Sequence, residues 1–389
     1  MDATPWNALD AMNGKTTLVL LVGANPLPNY LAAATLRPQR VLLLYTPETM
    51  QPKDRLTRAI RDRLRIATVD DHQVEDATSA KRVRVACKSV FSDDTHLNYT
   101  GGTKVMAAIA RMVFRDRGGL DRDASYVNES DGRLRFDDDG PSRALVTDAL
   151  DLDTILALHD FDKKLAKTVL ANDPTDTDAE AVARACLADQ QLALSLYERL
   201  TRPGDTRARG ISAPDFRACP LTDPSFPGRS SVPGADWTTK EVEHWIKFLR
   251  GTWLELWTAG LVRERAGSGA SVHVEVNLTR ETREAELDLI MIRQHRLHLL
   301  SCTIDDTIDR CKLKLFEATW RARQVGGDLA RCALACFLST HDADKVRADV
   351  AATWGESNTP TVFDLADLRA WQGLDQTTDR ASLDRWLLS

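Results

Sequence analysis

The segment Asn98-Tyr99-Thr100-Gly101-Gly102-Thr103-Lys104 gathers two glycines, two threonine hydroxyls and an ammonium, and the apolar run Val105 to Ala110 follows at once. Glycines allow a tight turn, and a helix beginning after it leaves N–H groups free, with partial positive charge. Thr100 and Thr103 add hydroxyl donors and Lys104 a full charge, a combination suited to a phosphate-bearing ligand at a helix start. The Gly-x-x-x-x-Gly-Lys-Ser/Thr spacing of a Walker loop is absent. An ordinary strand-to-helix turn would carry the same residues, so the elements around the segment must decide.

Thr17 to Val22 is a continuous apolar run of the kind found in buried parallel strands. It ends in Gly23-Ala24-Asn25-Pro26-Leu27-Pro28-Asn29, before a helical pattern from Leu31. Arg40 to Tyr45 reads as a second strand ending in Thr46-Pro47-Glu48-Thr49, Lys53 to Arg65 as a helix, and Arg82 to Cys87 as a third strand. Alternating strands and helices predict a doubly wound sheet, whose ligands lie beyond the C-terminal strand ends. Gly23–Asn29 and Asn98–Lys104 are both loops of that kind, and one pocket built from both is the simplest arrangement.

The succession Gly-x-Asn-Pro-Leu-Pro, Leu-Tyr-Thr-x-Glu-Thr and Asn-x-Thr-Gly-Gly-Thr-Lys-x-Met resembles the CARF sensor domain. The resemblance extends over the whole chain to CARF proteins of type III CRISPR systems that carry a PD-(D/E)XK nuclease domain. It implies a Rossmann-like sensor whose ligand is a cyclic oligoadenylate, most often the tetra-adenylate, bound across a homodimer. A two-fold ring of phosphates fits a pocket made of identical halves. The ligand-binding residues so implied are Gly23, Ala24, Asn25, Pro26, Thr46, Asn98, Thr100, Gly101, Gly102, Thr103 and Lys104.

A chain of 389 residues is long for one domain and comfortable for two. Its 43% hydrophobic and 28% charged residues are those of a soluble globular protein, and no apolar run approaches a membrane span. No signal peptide is recognisable. The seven cysteines form no Cys-x-x-Cys pair and have no histidine at zinc-finger spacing, so buried thiols in a reducing cytoplasm are expected. The net charge of −6 gives no global nucleic-acid footprint. The expected organisation is a CARF domain over 1–146, a helical connector with a long Pro/Gly/Arg-rich loop over 147–238, and a nuclease-like domain over 239–389. Tyr126 to Phe136 reads as a hairpin. Helical spacing runs from Thr147 to Leu170 and from Asp178 to Leu200. Thr201 to Asp236 is the predicted hinge.

After residue 239, helical spacing from Glu241 to Glu264 is followed by strands at Val272–Leu278, Ala285–Ile292 and Leu297–Cys302. A helix from Lys312 to Arg323 and strands near Leu334–Phe337 and Thr361–Asp364 complete an α/β domain consistent with a restriction-endonuclease-like core. The nuclease resemblance implies Glu255 as the helix acid and Asp288 as the strand acid, together holding Mg²⁺ or Mn²⁺ to activate water at a DNA or RNA phosphate. Where that family carries Glu-x-Lys on the third strand, this chain has Ser301-Cys302-Thr303. A metal ligand and its basic partner are thereby replaced by hydroxyls, and a catalytically weak or inactive nuclease is expected. The alternative is a ligand-activated, metal-dependent endonuclease with relocated groups: Lys312 or Lys314 for the cation, Asp305, Asp306 or Glu286 for the carboxylate. A sensor pocket that cleaves its own ligand would find no general base beyond its hydroxyls and Lys104.

Overall fold

The computed structural model describes residues 12–148, 150–164, 169–200, 237–267, 269–354 and 359–388, in two lobes. The first alternates β1 (Thr17–Leu21), α1 (Leu27–Leu36), β2 (Arg40–Tyr45), α2 (Met50–Leu64), β3 (Thr68–Gln73), α3 (Ala80–Val90), β4 (Thr95–Asn98), α4 (Lys104–Asp116) and β5 (Ala124–Asn128). The hairpin strand β6 (Arg133–Phe136) and the short β7 (Arg143–Ala144) extend one edge. The sheet order is β3-β2-β1-β4-β5-β6-β7, parallel through β5 and antiparallel beyond it. The period of two in β1 sets the layers: Leu18, Leu20 and Val22 meet α1 and α2, while Val19 and Leu21 meet α3 and α4.

Arg82–Cys87, expected as a strand, lies inside α3. Ser79 caps that helix by accepting from the Arg82 N–H at 3.4 Å, and Val83, Ala86 and Cys87 share its buried face. The third strand is instead β3, where Val69 is the one buried residue; an edge strand of this kind offers no apolar run to read. The helix expected over 147–170 is confined to α5 (Leu152–His159). Asp160 ends it in the left-handed region at φ 67°, and β8 (Asp162–Lys163) follows.

The second lobe holds α6 (Asp176–Ala188), α7 (Gln190–Leu200), α8 (Thr239–Lys247), a π-helical turn over Phe248–Thr252 and α9 (Trp253–Ala266). Then come β9 (Ala270–Arg280), β10 (Arg283–Arg293), β11 (Arg296–Cys302), α10 (Ile308–Gly326), β12 (Arg331–Ala335), α11 (Thr340–Trp354), β13 (Thr361–Phe363), α12 (Leu365–Gln372) and α13 (Ser382–Leu388). The sheet order is β13-β12-β11-β10-β9-β8, so the connector supplies an edge strand. Side chains of α10 and α11 cover one face, and those of α6, α7, α8, α9, α12 and α13 the other. The loop expected over Thr201–Asp236, with its arginines and Cys219, lies outside the described residues. The six cysteines among the described residues are free and buried. No described helix is long and apolar enough to cross a membrane.

The lobes share one apolar core, continuous from α1 and α2 through α5 to α10 and α11. At the seam, Arg296 donates to the carbonyls of Glu129 (3.1 Å) and Ser130 (2.7 Å). Gly132, at φ 65°, faces the His295 ring, and Gly327, at φ 72°, faces the Asn25 amide; a Cβ at either glycine would collide with its partner.

Three buried histidines carry a pH prediction. Burial pushes His96 and His298 down to about 3 and His159 to about 4. A depressed histidine contributes stability that is present above its unfolded value of about 6.5 and declines as pH falls toward the folded value, because the unfolded chain binds the proton first. Stability should therefore drop between about pH 6.5 and pH 4, by up to about 1.4 kcal/mol per pH unit for each histidine. Denaturant melts at a series of pH values would check this, and His96→Asn, in a site where Ser125 already offers a hydrogen bond, should flatten the slope.

Candidate functional site

In the first sheet the chain winds one way from β1 to β2 and the other way to β4, so the crevice beyond β1 and β4 is the topological switch point. The loops after these two strands meet there glycine against glycine. A Cβ on Gly23 would lie 3.1 Å from the Gly102 nitrogen, and one on Gly101 would sit 2.7 Å from Asn29 Oδ1 and collide with the Leu21 carbonyl. Gly102 has φ 75°, which glycine adopts without strain.

The expected ligand residues divide into scaffold and free groups. Asn98 is buried and donates to Ser125 Oγ at 3.2 Å, while its Oδ1 accepts from Thr100 Oγ1 at 2.8 Å. Thr100 Oγ1 in turn accepts the Val127 N–H at 2.7 Å. The Thr46 N–H donates to Thr49 Oγ1 at 2.9 Å. Pro26 is buried; Asn25 Oδ1 accepts the Leu27 N–H at 3.1 Å and lies 3.2 Å from His159 Nε2. These side chains hold the loops. Thr103 caps α4 by accepting the Met106 N–H at 3.1 Å. The N–H groups of Lys104 and Val105 are left without an intrahelical acceptor. Ala24 and Lys104 are exposed, and Lys104 has no hydrogen-bond or ion-pair partner among the described residues. An anion entering the crevice would meet a free ammonium and two helix N–H groups.

A second site lies in the other lobe, where α9, β10, β11 and α10 converge. Asp288 Oδ2 accepts from Ser301 Oγ at 2.7 Å and from the Cys302 N–H at 2.8 Å, and Lys314 Nζ lies 3.3 Å from it. Lys314 also donates to the Cys302 carbonyl. Burial disfavours the Lys314 charge, but Asp288, Cys302 and Glu255 together outweigh it and raise the ammonium above its usual range. Glu255 is half-buried, accepts no hydrogen bond from the described residues, and is pushed up to about 8 by burial and by Asp288. Glu255, Thr303 and Lys314 line one cavity of about 660 Å³.

Local irregularities frame this site. The π-helical turn precedes Glu255, and the β9–β10 ladder runs from Leu287–Val276 to Leu289–Val274, skipping the pair Asp288–Glu275. Glu275 sits at φ 48°, uncommon for this residue type; departures of both kinds cluster at functional positions. Lys247 bridges Glu275 (2.6 Å) and Glu286 (2.9 Å).

The other candidates from the sequence go elsewhere. Lys312 pairs with Asp349 on α11 and so faces away from Asp288. Asp305 is occupied by Thr307 and Arg310, and Asp306 is exposed. The Thr303 N–H donates to the Ala335 carbonyl at 2.9 Å, and its hydroxyl accepts from the Asp305 N–H at 3.2 Å. Lys247 and Glu275 had no signal in the sequence, because strand pairing alone brings Glu275 opposite Asp288 and Lys247 meets Glu275 only across the fold.

Among the described residues, no group of three or more His, Cys, Asp or Glu side chains is arranged around a metal position. Two carboxylates nevertheless suit Mg²⁺ or Mn²⁺, which keep water and substrate oxygens in the shell. The Glu255 carboxyl, without a donor and beside a second carboxylate, is the group such a cation would satisfy.

Among solved structures, the chain is similar to Can2 from Sulfobacillus thermosulfidooxidans in complex with cyclic tetra-adenylate: TM-score 0.68, 20% identity, 98% of this chain and 99% of that one. It is also similar to protein VC1899 from Vibrio cholerae, with TM-score 0.68, 13% identity, 96% of this chain and 98% of that one. A third is a type III CRISPR defence DNA nuclease activated by cyclic oligoadenylate: TM-score 0.53, 18% identity, 84% of this chain and 48% of that one. No family model and no curated protein matches the chain. At these identities the likeness is one of fold, and it spans both lobes.

Proposed function

We propose that this chain is a cyclic-oligoadenylate-sensing effector of type III CRISPR defence, whose second lobe is a weak, metal-dependent DNA or RNA endonuclease. The sensor reading is carried by the unpartnered Lys104 at the switch-point crevice, beside two free helix N–H groups. The fold is shared over nearly the full length with a protein solved in complex with cyclic tetra-adenylate. A ring with repeated phosphates calls for the same groups from a second protomer, hence a homodimer.

The endonuclease reading is supported by Lys314. Its ammonium reaches Asp288 from α10 and stands in for the basic partner that Thr303 cannot supply. Mg²⁺ or Mn²⁺, when bound by Glu255 and Asp288, would supply Lewis acidity at the phosphate and an activated water. Ser301 and the Cys302 N–H fix the Asp288 carboxylate, and Lys314 offers positive charge where a nucleophile or phosphate oxygen would lie. With Ser301 where a third carboxylate would stand, turnover should be slow.

The test is calorimetry with cyclic tri-, tetra- and hexa-adenylate, light scattering with and without ligand, and a cleavage assay with Mn²⁺ on plasmid, single-stranded DNA and RNA. Expected are micromolar or tighter binding of one ring, a dimer, and ligand-dependent cutting. A chain that binds none of the rings would overturn the sensor reading. Binding without cutting would leave a receptor with an inactive nuclease-like lobe.

A further inference from the structure

The cavity that holds Glu255 and Lys314 has four basic side chains in its wall: His244, Lys247, Arg250 and Lys314. Three are already partnered. His244 Nδ1 lies 2.6 Å from Asp173, Lys247 spans Glu275 and Glu286, and Lys314 is held by Asp288 and the Cys302 carbonyl. Arg250 has no hydrogen bond or ion pair to any described residue, yet it is half-buried.

The backbone explains its position. Arg250 stands in the middle of the π-helical turn, between Leu249 and Thr252, which are 1% and 7% exposed. Gly251 leaves helical geometry, and the wider turn breaks the 3.6-residue period. The core therefore takes Phe248, Leu249, Thr252 and Trp253, while Arg250 lines the cavity. Wide turns of this kind recur at functional positions. A guanidinium held in a concave wall without an acceptor has given up part of its hydration and gained nothing for it, unless a ligand supplies the acceptor.

We infer that Arg250 binds a backbone phosphate of the nucleic-acid strand beside the one at Glu255 and Asp288, so that it acts as a substrate-positioning residue. The inference rests on the endonuclease reading above and adds the strand-holding cation that reading lacks. A polyanion approaching two carboxylates needs a cation that they have not already neutralised, and among the described wall residues Arg250 is that cation. The planar fork of Arg suits two phosphate oxygens at once, which a lysine ammonium cannot match.

The experiment is fluorescence anisotropy with the full-length protein and fluorescein-labelled single-stranded DNA and RNA, in EDTA and saturating cyclic oligoadenylate, over a range of salt concentrations. Arg250→Ala should weaken binding about 5- to 30-fold at low salt. It should also make the slope of log K against log salt shallower by about 0.7 for each phosphate no longer neutralised. Arg250→Lys should restore the slope while recovering only part of the affinity. Arg323→Ala, the same charge change on the last turn of α10, should alter neither. Wild-type binding with affinity and slope unchanged in Arg250→Ala would overturn this inference and leave the endonuclease reading standing. Failure of the wild type to bind any oligonucleotide would overturn the reading itself.

Discussion

Asp288→Asn should remove ligand-dependent cleavage, by about a thousandfold or more, while the protein keeps its fold. The side chain retains its shape, and its carbonyl oxygen can still accept from Ser301 Oγ and the Cys302 N–H. What disappears is the negative charge that faces Lys314 and, with Glu255, would hold the metal. Lys314→Gln should cost about 10²- to 10³-fold, the usual penalty for removing one preorganised charge from a reacting phosphate. Lys312→Ala should change little, because that ammonium is engaged by Asp349 on the far side of its helix. Single-turnover cleavage rates, with melting temperatures as the control for folding, separate these variants. Equal loss in Lys312→Ala and Lys314→Gln, or full activity in Asp288→Asn, would show that the chemistry resides elsewhere.

Lys104→Ala should weaken cyclic oligoadenylate binding by about 10²- to 10⁴-fold. One charge-assisted hydrogen bond to phosphate is worth about 1.5–3 kcal/mol, and a ring shared across a two-fold axis would forfeit two of them at once. The substitution sits on an exposed helix start with no partner to disturb, so stability should be unaffected. Calorimetry on wild type and variant gives the ratio directly. A drop of about tenfold or less would mean that each ring meets one Lys104 rather than two, and the shared-pocket arrangement would fall.

Much of this was legible in the chain. β1 and β2 announce themselves because both faces are buried, which demands unbroken apolar runs. The Gly23 loop could be placed at a strand end for the same reason, whereas the Gly101-Gly102 loop was marked by the helix that starts after it. β4 was not legible as a strand, since His96 and Asn98 are buried polar residues whose hydrogen bonds to Ser125 exist only after folding. Arg82–Cys87 misled because its valines alternate over a few residues while the longer pattern is helical. The nuclease resemblance implied Glu255 and Asp288 but could not choose between Lys312 and Lys314. That choice depends on which face α10 turns to β11, set by Cys311, Leu315 and Ala318 in the core.

The seam between the lobes limits how this chain can change. Gly132 leaves room only for the His295 ring, and Gly327 only for the Asn25 amide. One member of each pair belongs to the first lobe and the other to the second. A first lobe with a smaller residue at position 25 would leave a void there, and one with a side chain at position 132 would clash. The two halves must therefore drift as co-adapted partners, and recombination between them is penalised at the seam even when each half is sound.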